Sequence, residues 1–326
     1  MMFFLTLVMG TLITVSSSSW LGMWMGLEIN LLSIIPLMVS VKNQMESEAA
    51  MKYFITQAIA STILMMAIII MMQKTSLMSI KSLILNTAIM TKMGAAPFHF
   101  WFPEVIEGLS WMNSLIMMTW QKIAPMIIMM YSTKTIMFLT LVIISSMLIS
   151  GIMGINQTSL RKILAYSSIN HIGWMISSTF MIQSIWMLYL VIYSLISASI
   201  IFILKTNAIN QLKQLINSMN EMKSIKLIFI LNFLSLGGLP PFLGFFPKWI
   251  TINFLIENKF IMMTLIMILM TLMTLYFYMR ITFSTLILTY SESTKFFMTK
   301  QSPIIMFISS IMLMLLIIMT SIFNFV

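Results

Sequence analysis

Four charged side chains lie among apolar neighbours in this 326-residue chain: Glu28, Lys92, Lys122 and Lys248. Glu28 follows Trp20 by eight residues, about 12 Å along a helix, which is close to the middle of a roughly 30 Å hydrocarbon core. Lys122 lies eleven residues, about 16 Å, beyond Trp111, and Lys92 a similar distance beyond Lys81. Lys248 directly follows a proline-rich interruption. Each charge at the centre of a membrane costs about 2.5–3.5 kcal/mol, so four cost on the order of 10–14 kcal/mol unless paired or hydrated. The chemistry that suits them is proton transfer. A lysine in an apolar site gives up its proton more readily than one in water, because burial penalises the charged form. A nearby glutamate stabilises the charged lysine, so a glutamate that approaches and withdraws gates the lysine's hold on its proton. His99, beside the first interruption, is a candidate relay near neutral pH.

Two plainer readings compete. A lysine near a helix end snorkels to the headgroups, which covers Lys52, Lys74, Lys81 and Lys205, and Arg280 among Tyr276, Tyr278 and Phe283. It does not fit Glu28 or Lys122, which have apolar turns on both sides. Structural ion pairing is the second, and it leaves the interruptions unexplained.

The elements that must position these groups are membrane helices. The chain is 60% hydrophobic and 8% charged, against roughly 25% charged in a soluble domain. Apolar segments of about 20 residues recur from end to end. The pattern predicts an all-α, polytopic membrane protein of about eleven spans, over 2–17, 21–41, 51–72, 79–98, 111–131, 135–155, 159–180, 184–204, 226–256, 260–288 and 304–325. Polar connections are expected at Val41–Lys52, Phe100–Ser110, Lys205–Lys226 and Tyr290–Ser302. Two spans look broken. One runs into Gly94-Ala95-Ala96-Pro97-Phe98-His99-Phe100-Trp101-Phe102-Pro103, the other contains Gly237-Gly238-Leu239-Pro240-Pro241-Phe242 up to Pro247-Lys248. Proline removes a backbone donor and clashes with the preceding turn. Such breaks survive at membrane depth only where the freed groups face protein or water, and paired interrupted segments point to a transporter's working site.

Charge sets an expected orientation. Eighteen Lys and Arg oppose eight Glu, with no Asp. Loops after even-numbered spans hold Lys42, Lys52, Arg161, Lys162, Lys205, Lys213, Lys223, Lys226, Lys295 and Lys300; those after odd-numbered spans hold Lys74, Lys81, Lys134 and Lys259. By the positive-inside rule the even loops and the N-terminus face the matrix or cytoplasm, and phospholipid headgroups are partners of these cations. No span-free basic domain exists to bind nucleic acid. Cysteine is absent and the histidines are His99 and His171, so no Cys-ligated cluster, metal site or dinucleotide fingerprint is expected. Met1–Val15 enters a span directly, with no Arg-rich transit segment. The 40 Met suit an AT-rich gene read with a mitochondrial code.

At these residues the sequence resembles a known family. Gly26-Leu27-Glu28-Ile29-Asn30, the run from Lys92 through Pro97 to Trp101, Thr119-Trp120-Gln121-Lys122-Ile123-Ala124-Pro125, Asn156 through Ile169 and Leu236 through Phe242 to Lys248-Trp249 are similar to the subunit 2 family of mitochondrial NADH–ubiquinone oxidoreductase, respiratory complex I, in the style of insect members. The resemblance implies two inverted five-helix repeats, over 1–131 and 135–288, each with one discontinuous helix, followed by a terminal helix at 304–325. It implies a gating role for Glu28 and proton-channel roles for Lys92, Lys122 and Lys248. It implies a mitochondrial inner-membrane subunit that takes part in NADH oxidation by ubiquinone, surrounded by other membrane-arm and accessory subunits. NADH, FMN, iron–sulfur clusters and ubiquinone would sit in other chains, with no cofactor in this one. Bacterial relatives carry three more N-terminal spans. A stand-alone cation/proton antiporter is the alternative; sodium coordination favours carboxylates, and one carboxylate lies clearly in mid-membrane. A purely structural spacer is the third reading, against which the buried lysines and the breaks count.

Overall fold

A computed structural model describes residues 2–39, 43–72, 78–132, 135–180, 183–219 and 223–287. These residues are helical, and no strand occurs among them apart from an isolated bridge between Ser159 and Gln211. The expected terminal helix at 304–325 lies outside the described residues. The chain divides into two compact units, one ending at Ser146 and the other beginning at Met147.

The first unit holds α1 (Met2–Ser16), α2 (Trp20–Met38), α3 (Gln44–Met72), α4 (Met78–Met93), α5 (Trp101–Gly108), α6 (Trp111–Met118) and α7 (Ile123–Met130). α8 (Ile136–Ile155) runs across the division. The second unit holds α9 (Leu160–Ser178), α10 (Gln183–Thr206), α11 (Leu212–Met219), α12 (Lys223–Gly237), α13 (Phe245–Glu257) and α14 (Ile261–Ile287). Stretches within α2, α3, α8, α10 and α14 are long and apolar enough to cross a bilayer. The helices flanking the two interruptions, α4, α5, α12 and α13, are shorter than that.

Three expected connections differ from the structure. α3 begins at Gln44, so Lys52 is helical rather than in a loop. Residues 101–108 form α5, which buries Phe102, Val105 and Ile106 on one side. α11 occupies part of the 205–226 connection and buries Leu215, Ile216 and Met219. In each case an amphipathic face finds a surface to cover, which mean polarity alone does not reveal.

Small residues bring α1 and α2 together. A Cβ on Gly26 would stand 2.5 Å from the Thr14 methyl and 2.8 Å from the Gly10 carbonyl oxygen. α2 opens on Ser19, whose side chain accepts from the Gly22 N–H at 3.2 Å. Its inner end joins a core of Leu7, Ile34, Met38, Tyr53, Val105 and Met117. In the second unit, α9 is buried on every side from Ile163 to Ser178. Its hydroxyls tolerate this because Ser167, Ser168, Ser177 and Ser178 each donate to the carbonyl three residues back, at 2.7–2.8 Å.

The two interruptions repeat one local design. Gly94 and Gly238 both take positive φ, at 71° and 78°. Each closes the preceding half-helix with the same pair of hydrogen bonds: Gly94 N–H to Thr91 O and Ala95 N–H to Met90 O, then Gly238 N–H to Ser235 O and Leu239 N–H to Leu234 O. A turn follows in which Phe98 donates to Ala95 O and Phe242 to Leu239 O. The second half-helices start Trp101-Phe102-Pro103 and Phe245-Phe246-Pro247. Proline is tolerated there because a first-turn N–H has no helical acceptor.

Candidate functional site

The lysines singled out in the sequence are buried. Lys122 is 2% exposed, Lys92 8% and Lys248 5%, and His99 is 2% exposed. Glu28 is half-buried. Glu28, Lys92, His99 and Lys122 belong to the first unit and Lys248 to the second. Lys81 differs from the snorkelling expectation: it lies in the first turn of α4 and is only 5% exposed.

Lys122 ends a 3-10 turn, Trp120–Lys122, that splits the fifth span into α6 and α7. The sequence pattern predicts one continuous span over 111–131. Pro125 is the physical reason: it has no N–H for the Gln121 carbonyl and its ring crowds that position. Lys122 N–H bonds to Thr119 O at 3.3 Å, three residues back, and the Thr119 hydroxyl donates to Leu115 O at 2.8 Å. The Lys122 ammonium lies 5.7 Å from the centre of the Phe102 ring, within cation–π range. Phe102 in turn packs on Gly94, whose Cβ position lies 3.0 Å from the Phe102 Cβ. Thus the turn carrying Lys122 and the break following Lys92 meet across one aromatic side chain.

Glu28 acts electrostatically on Lys92. Its Oε2 is buried and makes no hydrogen bond among the described residues. A buried acceptor without a partner costs about 1–3 kcal/mol, so this oxygen is open to a hydrogen-bond donor. Two positions further along α2, Asn30 faces another neighbour: Gln121 donates its side-chain N–H to Asn30 Oδ1 at 2.8 Å. α2 therefore contacts the Lys122 turn through Asn30, and acts on Lys92 through the charge of Glu28 alone.

Each break leaves helix-end carbonyls, and a side-chain donor meets them in each unit. In the first, Gln57 donates to Lys92 O at 3.4 Å. In the second, Lys248 Nζ donates to Leu236 O at 3.3 Å and Gly237 O at 3.0 Å. Carbonyl oxygens at a helix C-terminus carry partial negative charge and favour a cation there. His99 Nδ1 lies 3.3 Å from Pro97 O, and its ring stacks on Phe100 with 4.4 Å between centres.

Sequence reasoning missed three polar contacts. Gln121 with Asn30 is one. The others lie in the second unit, where His171 Nδ1 is 2.8 Å from the Tyr189 hydroxyl and Asn170 donates to Thr274 Oγ1 at 3.1 Å. The sequence signal for Asn170 and His171 was their place inside a helical segment; nothing marked Tyr189 or Thr274. Among the described residues no group of three or more His, Cys, Asp or Glu stands close enough to hold a metal ion.

The family described as NADH:quinone oxidoreductase/Mrp antiporter, TM matches residues 17–274. NADH-ubiquinone oxidoreductase chain 2 of Locusta migratoria is 48% identical over 298 residues, 90% of this chain and 87% of that one. The protein of the same name from Anopheles gambiae is 47% identical over the same shares. A chain in the structure of respiratory complex I from Thermus thermophilus with bound aureothin superposes with a TM-score of 0.85 at 21% identity, over 96% of this chain and 77% of that chain. That likeness establishes an antiporter-like helical fold. The sequence relatives extend it to kinship, and the chain belongs to the NADH:quinone oxidoreductase/Mrp antiporter family of multi-pass membrane proteins.

Proposed function

We propose that this chain is a core membrane-arm subunit of respiratory complex I, moving protons across the mitochondrial inner membrane as NADH is oxidised by ubiquinone. It is part of an NADH:ubiquinone reductase whose redox centres (NADH site, FMN, iron–sulfur clusters and quinone site) lie in other subunits. The curated relatives, named NADH-ubiquinone oxidoreductase chain 2, support the assignment. The observation that carries the mechanism is Lys122: a lysine 2% exposed, in a helix broken at its own position. A permanent charge there would be a poor structural choice, whereas a group that alternates between charged and neutral needs both burial and loosened backbone.

The proposed route uses Lys92, Lys122 and Lys248 as proton-holding groups, Glu28 as the gate and His99 as a relay. Glu28 gates by stabilising charged Lys92 when near and releasing it when drawn away. Lys248, held by the carbonyls of Leu236 and Gly237, serves the second unit in the same manner. The matched hydrogen-bond patterns at Gly94 and Gly238 support two related repeats, each with one discontinuous helix, within eleven spans. The loop charges support a matrix-side N-terminus. Other membrane-arm subunits, accessory subunits and phospholipids are the expected partners.

Replacing Lys122 with Met in the assembled complex tests the reading. Quinone reduction and proton uptake are measured together. A proton-holding role predicts a loss of about tenfold or more in coupled turnover. An assembled variant with unchanged rate and proton-to-electron ratio would refute it.

A further inference from the structure

The first unit carries an open, largely apolar groove of about 660 Å³ between α3 and the α4–α5 break, a size typical of ligand pockets. Its position in the membrane follows from α3. That helix spans 29 residues, and its charges, Glu46, Glu48 and Lys52, fall in its first nine. The remainder, residues 53–72, covers about 30 Å, the thickness of a hydrocarbon core. Lys52 therefore stands at headgroup level. The groove runs down α3 from Lys52 past Ile55 and Ile59 to Ala60, about 12 Å into the hydrocarbon region. The opposite wall is Pro97, Phe98 and Phe100, and both phenylalanines are exposed.

The mouth is polar and dipolar. Lys52 Nζ lies 3.0 Å from Glu48 Oε1 and 3.0 Å from Glu104 Oε2. All three side chains remain about half exposed, and two carboxylates share one ammonium, so the cluster carries a formal excess of one negative charge. An anionic headgroup would meet that excess unfavourably. A headgroup with both a phosphate and a primary ammonium complements it: phosphate beside Lys52, ammonium N–H groups toward Glu104 and Glu48. A quaternary choline has no N–H to give.

We propose that this groove holds one phosphatidylethanolamine-type lipid, with its headgroup at Lys52 and Glu104 and one acyl chain along Ile55, Ile59 and Phe98. The chain then packs against Pro97 and Phe98 in the turn that follows Lys92. The site depends on the membrane placement of α3 and is independent of the proton route.

The test uses the intact complex containing this chain, reconstituted with trace photoreactive lipid bearing a diazirine on its acyl chain. Ethanolamine, choline and cardiolipin headgroups are compared, and labelled peptides are read by mass spectrometry. The expected result is labelling of 55–60 and 97–101 by the ethanolamine probe, at least fivefold above the other two. Excess unlabelled phosphatidylethanolamine should compete it away. Ile59→Trp, which fills the groove, should cut the labelling at least fivefold with proton pumping retained. Should Ile59→Trp fail to assemble, the headgroup comparison and competition in the unaltered complex decide alone. Equal labelling by all three headgroups overturns the proposal, as does absence of labelling accompanied by cross-links from 98–100 to a neighbouring subunit. A complex that shows the selective labelling but unchanged pumping in Lys122→Met would sink the proton route and leave this site standing.

Discussion

Gln121 and Asn30 join their side chains at 2.8 Å, and that contact ties the helix of Glu28 to the turn of Lys122. Asn30 is buried, and the turn it holds lacks regular α-helical bonds. Replacing Gln121 with Leu leaves the Asn30 amide without this partner at a cost of about 1–3 kcal/mol. The expected outcome is an assembled complex with several-fold slower coupled proton uptake. The exchange Asn30→Gln with Gln121→Asn should recover part of the loss. Full activity in Gln121→Leu would show that the tie has no bearing on Lys122.

Pro125→Ala should act in the opposite sense on stability and function. An alanine supplies the missing N–H to Gln121 O and removes a helix break worth about 3 kcal/mol. α6 and α7 would merge, and Lys122 would rotate away from Phe102. The thermal inactivation temperature of the complex should rise or stay level while proton uptake per electron falls. A variant that pumps normally would argue that the turn at Lys122 is dispensable.

Gly238→Ala probes Lys248. The residue has φ near 78°, and an added Cβ would lie 2.8 Å from Lys248 Cδ and 2.9 Å from its Nζ. Backbone strain of about 1–2 kcal/mol adds to the displacement of the ammonium from its carbonyls. Pumping by the assembled variant should fall toward that of Lys248→Met. Unaltered pumping, measured with acidification of sealed vesicles, would separate Lys248 from the route.

A pair of glycines offers a packing control. Gly26→Ala drives a methyl to within 2.5–2.8 Å of Thr14 and Gly10, and overpacking of that kind costs about 1–3 kcal/mol. Gly237→Ala meets nothing nearer than 3.5 Å and should change stability by about 0.5 kcal/mol or less. Native-gel yield of complex should drop for the first and hold for the second.

Much of the fold was legible in the residues. Helix class, the interruptions at Pro97 and at Pro240-Pro241, and the unusual depth of Lys122 follow from composition, proline chemistry and rise per residue. These are local or additive properties, which a linear string carries. The helices within 101–108 and 212–219 were not legible, since their short amphipathic faces gain stability only from the surfaces they cover.

The chain's own order of residues thus determined that it lives in a membrane, that its charges are costly there, and that two of its helices break beside lysines. Tertiary structure alone decided which groups meet. It set Glu28 to act on Lys92, put Phe102 between Lys122 and Gly94, and gave Lys248 two helix-end carbonyls. It also turned Pro125 from an unremarked proline into the cause of the Lys122 turn. The reason is that depth depends on position along one helix, whereas partnership depends on the rotation and spacing of several packed helices, which no single segment encodes.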